Sequence, residues 1–187
     1  MLALGADPER GLPAGQGWAG MCRLVSATHL AGERGTPVTT AALVAEHGRT
    51  LEGLPTYAVL LGPHSDLGRA VLARRPDIAR AILARWRAAL PRQSVFVEIV
   101  CHRGPREKPG SLAHAARMLA FARAERVPAV LTNAVRHAGP DGAATADLLD
   151  AARRMVALDT RHVDRVTAAG YLAPPAEMAA LAREIAH

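Results

Sequence analysis

Aromatic residues, cysteine, lysine and long apolar runs are all scarce in this sequence, and each shortage excludes a class of protein. Two tryptophans, two tyrosines and two phenylalanines are fewer rings than a protein that stacks single-stranded bases normally exposes. Cys22 and Cys101 are too few for a disulfide scaffold and favour a reduced, cytoplasmic compartment. No apolar run approaches the roughly 18 residues that span a bilayer, and the N-terminus lacks the pattern of a secretory signal. We therefore expect no membrane partner.

The remaining composition is that of one soluble globular domain. The chain has 187 residues, of which 50% are apolar and 21% are charged, which is the balance of a protein with a packed core. Its formal net charge is +6, and Lys108 is the only lysine. The bias towards arginine and alanine is typical of a GC-rich coding sequence, so the arginine content alone does not indicate phosphate binding.

The positive charge is concentrated in one segment, residues 69–92. It contains seven arginines and a single acid, Asp77. Such a segment forms either a basic face for nucleic acid or an acidic partner, or a solvated helix face whose arginine stems cover apolar surface. The candidate residues of this basic segment are Arg69, Arg74, Arg75, Arg80, Arg85, Arg87 and Arg92.

Short apolar runs alternate with helical patterns along the chain. Residues 57–61, 94–100 and 128–132 predict strands, and residues 1–4 are a candidate fourth strand. Helices are predicted over residues 18–30, 39–47, 66–74, 76–86, 111–126, 143–155 and 176–186. This alternation predicts an α/β fold of mostly parallel strands flanked by helices, in which sites form at the carboxyl ends of the strands.

The helical patterns also predict which side chains face the core and which cap the helices. The helix from Pro76 is expected to turn Ile78, Ile82, Leu83 and Trp86 inward. The apolar stripe of residues 111–126 is Leu112, Ala115, Leu119 and Ala122, and that of residues 143–155 is Leu148, Leu149, Ala152 and Met155. Thr39 or Thr40 and Ser65 or Asp66 are the expected caps, although residues 62–66 also suit a backbone nest for an anion.

Polar residues follow two of the predicted strands. Glu98, Cys101 and His102 lie at the end of one strand and could share a metal; alternatively, Glu98 pairs with an arginine and the other two begin a loop. Asn133 suits a tight turn after the next strand, and His137 is either a ligand or a loop residue. The sequence has no HxH, HExxH or CxxC motif and no clustered acids for two-metal polymerase chemistry.

Several segments resemble bacterial C-family DNA polymerases, the alpha-subunit type of DNA polymerase III, in order along nearly the whole chain. Residues 17–26, 61–69, 97–104 and 131–136 carry the likeness, which is strongest to the error-prone, damage-inducible branch. Residues 158–165 and 171–178 are similar to the exit towards the polymerase core. The resemblance implies that residues 1–157 form a partial, N-terminally truncated PHP (polymerase and histidinol phosphatase) domain, a distorted β/α barrel. It makes residues 158–187 a connector and helix leading to the polymerase core.

The resemblance also implies a degenerate metal site. The family pattern Thr-Asn-Asp-Val-His stands here as Thr-Asn-Ala-Val-Arg, so that Ala134 and Arg136 replace an acid and an imidazole, and neither can ligate a cation. Arg136 is instead expected to pair with an acid such as Glu98. Glu98, His102 and His137 remain as metal candidates, which are too few for a trinuclear site.

The resemblance therefore implies a structural region of a translesion DNA polymerase, with no catalytic residue and no cofactor of its own. The parent enzyme would use magnesium. Its partners would be the rest of the polymerase chain, DNA, and other mutagenesis or clamp proteins. Two alternatives are a metal-dependent phosphoesterase or proofreading (3′–5′) exonuclease of the PHP type, and a free-standing basic DNA-binding module.

Because a truncated barrel leaves a sheet edge unpaired, we expect the isolated chain to be poorly stable or oligomeric.

Overall fold

Three short parallel strands with flanking helices organise the structure, a computed structural model that describes residues 15–49, 56–159 and 168–187. The predicted strand at residues 1–4 and part of the predicted connector lie outside these ranges. In chain order the elements are α1 (Gln16–Ala31), α2 (Ala41–His47), β1 (Val59–Leu61), α3 (Asp66–Leu72), α4 (Pro76–Ala89), β2 (Val95–Ile99), α5 (Leu112–Ala124), β3 (Ala129–Leu131), α6 (Ala143–Arg154) and α7 (Pro175–Ala186). Short 3₁₀ turns lie at Arg92–Ser94 and Pro140–Gly142.

The sheet has the order β1-β2-β3, and both pairs of strands are parallel. Val59 lies opposite Val95, and Val97 lies opposite Ala129. The predicted α/β class, the parallel strands and the flanking helices are therefore confirmed, with strands shorter than the apolar runs suggested. Within the described ranges, no helix is long and apolar enough to cross a membrane.

Local side-chain hydrogen bonds begin three of the helices where the sequence places cap residues. The Thr40 hydroxyl accepts from the Leu43 amide at 3.2 Å, and the Ser65 hydroxyl accepts from the Gly68 amide at 3.1 Å. Ser111 accepts in the same way from the His114 amide at 3.2 Å. Each hydroxyl satisfies a backbone donor of the first turn that has no partner inside the helix.

The core lies where α3 and α5 pack on the sheet and α4 packs on α3. Leu67, Leu83 and Met118 come from these three helices and are almost fully buried. They belong to one cluster with the strand residues Val59 and Val97. Helix α7 adds Leu181 and Ile185 to the same cluster, so the last described segment packs on the body that the strands organise.

Three of the predicted apolar faces are wrong in part. Ile78 on α4 is 41% exposed and Leu112 at the start of α5 is 36% exposed. On α6, Asp147 and Ala151 form the buried side, while Leu148, Leu149 and Met155 are exposed. Consecutive helix residues point about 100° apart, so burying positions 147 and 151 turns their leucine neighbours away from the core.

Candidate functional site

The carboxyl ends of β2 and β3 bring two of the predicted metal candidates, Glu98 and His102, to one edge of the sheet. Glu98 is on β2, His102 follows that strand, and Thr132 and Asn133 follow β3. Parallel strands end at the same edge, which is why residues so far apart in sequence meet there. We call this group the carboxyl-edge site.

The side chain of Glu98 lies close to the ends of all three strands. Its Oε1 accepts a hydrogen bond of 2.7 Å from the Thr132 hydroxyl. Its Oε2 lies so close to Gly62, just after β1, that a Cβ there would come within 2.5 Å of it. Within the described residues, Glu98 is bonded to the Thr132 hydroxyl and forms no ion pair with an arginine.

His102 is held by the backbone of the neighbouring strand end. Its Nε2 lies 2.9 Å from the Asn133 carbonyl oxygen. A carbonyl oxygen can only accept, so Nε2 carries the proton. In this arrangement Nε2 is occupied as a donor and does not present a lone pair to a cation.

Asn133 is the only asparagine in the sequence, and the structure gives it a larger role than a tight turn. Its buried side-chain amide donates to the carbonyl oxygens of Ala169 at 2.6 Å and of Tyr171 at 2.7 Å. The next residue, Ala134, has a left-handed φ of 42°. Asn133 thus clamps the backbone that leads into α7.

Arg136 lies away from Glu98 and pairs with Asp150 on α6, with Nη2 and Oδ2 3.0 Å apart. Arg136 therefore pairs with an acid as predicted, but the acid is Asp150 and not Glu98. The partner that the fold supplies is 14 residues further along the chain. Asp150 becomes the partner of Arg136 because of the position of α6, which the pattern of strands does not indicate. Because Arg136 and Asp150 are both partly exposed, the pair contributes modestly to stability.

His137 lies next to the segment that Asn133 clamps. Its Nδ1 is 2.6 Å from the Gly139 carbonyl oxygen, and its backbone forms a parallel bridge with Tyr171. Of the two interpretations of His137, a metal ligand or a loop residue, these contacts fit the loop residue.

The candidate ligands do not form a metal centre in the described part of the chain. No group of three or more His, Cys, Asp or Glu side chains there is close enough to hold an ion. Glu98 is bonded to a hydroxyl, and His102 is bonded through Nε2. Among the described residues, the polar side chains at this edge are thus bonded to the protein itself and do not form a cluster of metal ligands.

A small cavity of about 170 Å³ lies between the carboxyl-edge site and α7, bordered by Cys101, Asn133 and Leu181 among others. Arg103 at its border reaches Glu184 on α7, with Nη2 and Oε2 2.6 Å apart. This contact raises the pKa of Arg103. Tyr171 hydrogen-bonds to Glu177, which raises the pKa of the phenol.

Most of the basic segment is engaged within the chain. Arg69 pairs with Asp66 at 2.5 Å, Arg75 with Asp77 at 2.7 Å and Arg80 with Glu125 at 2.6 Å. The bond from Arg75 lowers the pKa of Asp77 to about 2. Arg87 donates to the carbonyl oxygens of Glu125 and Arg126.

Two arginines of the segment, Arg74 and Arg85, are exposed and make no ion pair with any residue that the structure describes. The side chain of Arg92 lies outside the described part. The segment therefore carries less free charge than its sequence indicates.

Sequence reasoning missed two features of the carboxyl-edge site. The Thr132 bond to Glu98 and the Asn133 clamp both depend on long-range placement. The available signal was the Thr-Asn pair directly after a strand, where polar side chains meet other strand ends. Nothing in the sequence pattern indicated that Asp150 is the partner of Arg136.

No protein-family model matches the chain, and no curated protein matches it.

Proposed function

We propose that this chain is a structural PHP region of an error-prone bacterial C-family DNA polymerase, which braces the polymerase core and carries no catalysis of its own. The resemblance of residues 17–26, 61–69, 97–104 and 131–136 motivates the assignment. The parallel βα order is consistent with part of a distorted β/α barrel. The parent enzyme would bind DNA and use magnesium for nucleotide transfer with acids outside this chain.

The observation that carries the proposal is that residues at and near the carboxyl-edge site hold the C-terminal segment in place. Asn133 holds the backbone at Ala169 and Tyr171, and Arg103 holds Glu184 on α7. The segment so held is the one that the resemblance assigns to the route towards the core. In this proposal, a strand edge that elsewhere would present ligands instead holds the segment that leads into α7.

The chemistry of the replaced positions supports a structural role over hydrolysis. Ala134 has no donor atom for a cation, and Arg136 is a permanent cation engaged with Asp150. The basic DNA-binding alternative is less well supported, because four arginines of its proposed face bind acids or carbonyl groups of the chain itself.

The first test is elemental analysis of the full chain after exposure to zinc and manganese, with hydrolysis of p-nitrophenyl phosphate and of 3′-labelled DNA as activity assays. The proposal expects metal far below one ion per chain and no metal-dependent hydrolysis. One tightly bound ion per chain together with hydrolysis would overturn it in favour of the phosphoesterase or exonuclease.

The second test asks whether the chain braces a polymerase. An error-prone C-family polymerase lacking the corresponding region is mixed with the full chain, and co-elution and primer extension are measured. We expect the chain to co-elute and to increase extension, and Asn133→Ala to weaken both effects. Gln93→Ala, an exposed amide, is the matched control. No association with the core would overturn the proposal.

A further inference from the structure

Residues 169–187, which we call the C-terminal segment, pack beside the carboxyl-edge site through few buried side chains. In α7 the buried residues are Leu181 and Ile185, whereas α5, on which α7 packs, buries five residues. The cavity of about 170 Å³ interrupts the apolar contact between α7 and the carboxyl-edge site. Because burial of apolar surface is the main source of stability, this segment is held less firmly than the helices of the core.

The ion pair that attaches α7 is open to water. The side chains of Arg103 and Glu184 are 61% and 38% exposed, and exposed pairs contribute little to stability. The pair therefore orients α7 without fixing it strongly.

The other polar attachments converge on four residues, 169–172. Asn133 donates to the carbonyl oxygens of Ala169 and Tyr171. The Arg136 amide donates to the Gly170 carbonyl oxygen at 2.8 Å, and the Leu172 amide donates to that of His137 at 3.2 Å. Bonds that lie so close together along the chain form and break together, so the segment has the properties of one cooperative unit.

The C-terminal segment helps to cover a cysteine that has no role in the proposed function. Cys101 follows β2, is a free thiol and is 2% exposed. It borders the small cavity, and Met178 and Leu181 of α7 line the same cavity. The other cysteine, Cys22 on α1, is exposed. The chain thus carries one covered and one exposed thiol.

We propose that the C-terminal segment opens as one unit while the sheet and helices α3 to α5 stay folded, and that this opening uncovers the carboxyl-edge site. In the closed state the Cys101 thiol and the Asn133 side chain are covered; in the open state both face water. The segment therefore controls access to this edge of the sheet. The inference does not rest on the proposed function, because every contact that carries it lies within this chain.

Thiol labelling of the full, reduced chain with 5,5′-dithiobis(2-nitrobenzoate) measures the opening. This reagent is a bulky aromatic disulfide that a cavity of about 170 Å³ does not admit, and it reacts with an uncovered thiolate. We expect Cys22 to react as fast as in the urea-unfolded chain and Cys101 to react more slowly. Cys22→Ser should leave the slow phase alone, and Cys101→Ser should remove it.

The slow phase should be faster than global unfolding permits. Urea unfolding of Cys22→Ser gives the fraction of chains that are globally unfolded, and hence the labelling rate expected from that state. We expect Cys101 to react about tenfold faster than this limit or more, with a weaker dependence on urea, because opening of one segment exposes less surface than unfolding of the chain.

Two variants in the Cys22→Ser background loosen the attachments. Asn133→Ala should raise the slow rate roughly 5- to 100-fold, and Glu184→Gln should raise it up to about fivefold. Gln93→Ala and Glu46→Gln alter an exposed amide and an exposed acid outside the C-terminal segment and should leave the rate unchanged. Glu184→Gln provides the comparison if Asn133→Ala does not fold.

A slow phase with the rate and the urea dependence of global unfolding would overturn the proposal, since the segment would then not open by itself. Reaction of Cys101 at the rate of the unfolded chain would also overturn it, because the closed segment would not cover the thiol. Equal slow rates in the wild type and in both loosened variants would show that these contacts do not hold the segment closed.

Discussion

His114 is a buried histidine that joins two helices of the core. Its ring is fully covered, and Nε2 lies 2.9 Å from the Gly68 carbonyl oxygen on α3, so Nε2 donates and Nδ1 carries no proton. Burial lowers the pKa of His114, and the positive charges of Arg117 and His64 lower it further, against the opposing effect of the Gly68 carbonyl. The folded chain therefore keeps this ring neutral.

This pKa shift predicts how stability depends on pH. The unfolded chain takes up a proton at this histidine below about pH 6.5, whereas the folded chain resists it. The stability that His114 contributes is complete above that pH and is lost as the pH falls towards its lower folded pKa. Urea unfolding between pH 7 and pH 5 should show this loss, and His114→Gln should flatten it. His29→Gln, at an exposed position of α1, should keep the wild-type slope; a His114→Gln slope equal to that of the wild type would contradict the prediction.

At the residue scale, the sequence predicts local interactions and misses distant ones. Thr40 and Ser65 were predicted as caps because a cap bonds to a backbone donor three residues away. An acidic partner of Arg136 was predicted, but Glu98 was named and not Asp150, because Asp150 reaches Arg136 only when α6 packs beside the end of β3.

Helix α3 depends on a glycine at a position where alanine would ordinarily be the better helix former. A Cβ at Gly68 would lie 2.3 Å from the Gly62 carbonyl oxygen and 2.6 Å from that of Pro63. These are backbone atoms and cannot move aside cheaply. The close approach lets α3 pack directly on the turn after β1.

Gly68→Ala should therefore lower the free energy of unfolding by about 1–3 kcal/mol, as overpacking does, instead of raising it. Chemical denaturation measures the change. Gly104→Ala is the matched control, because a Cβ there meets nothing within 4 Å, and it should be close to neutral. A Gly68→Ala variant as stable as the wild type would show that the turn after β1 can shift.

The attachment of α7 through Asn133 gives a second prediction at the element scale. Asn133→Ala removes the side-chain hydrogen bonds to the carbonyl oxygens of Ala169 and Tyr171 and should lower the free energy of unfolding by about 1–3 kcal/mol. Hydrogen exchange should become faster in α7 before it does in α4. Because the chain has one asparagine, selective ¹⁵N-asparagine labelling reports this side-chain amide directly. Exchange in α7 that matches the wild type, or that matches the exposed-amide control Gln93→Ala, would exclude the clamp.

The positions of the helices and strands were largely predictable from the sequence, but the side that some helices bury was not. The apolar runs that became β1 and β2 are buried or half-buried on both sides, so a continuous run was a sufficient signal. On α6 the periodic leucines suggested an inward stripe, but burial of Asp147 set a different rotation. Hydrophobic pattern decides that a helix forms; packing partners decide which side it buries.

At the scale of the whole molecule, several large apolar side chains of the described residues are exposed to solvent. Leu148, Leu149 and Met155 are 57%, 65% and 93% exposed on and just after α6. Strand β3 stands at one end of the strand order, and Ala129 on it is exposed. Exposed apolar groups and a strand edge both favour contact with other chains.

We expect the isolated chain to associate as its concentration rises, which sedimentation velocity and light scattering over a range of concentrations will measure. Leu148→Gln combined with Leu149→Gln should shift the chain towards monomer, because it removes apolar surface whose burial drives association. Leu30→Gln is the matched control, since Leu30 is 87% exposed but lies on α1; it should leave the association unchanged. A sharp thermal transition at a midpoint independent of concentration, from a chain that stays monomeric, would show instead that α6 and the β3 edge remain stable in water without a covering partner.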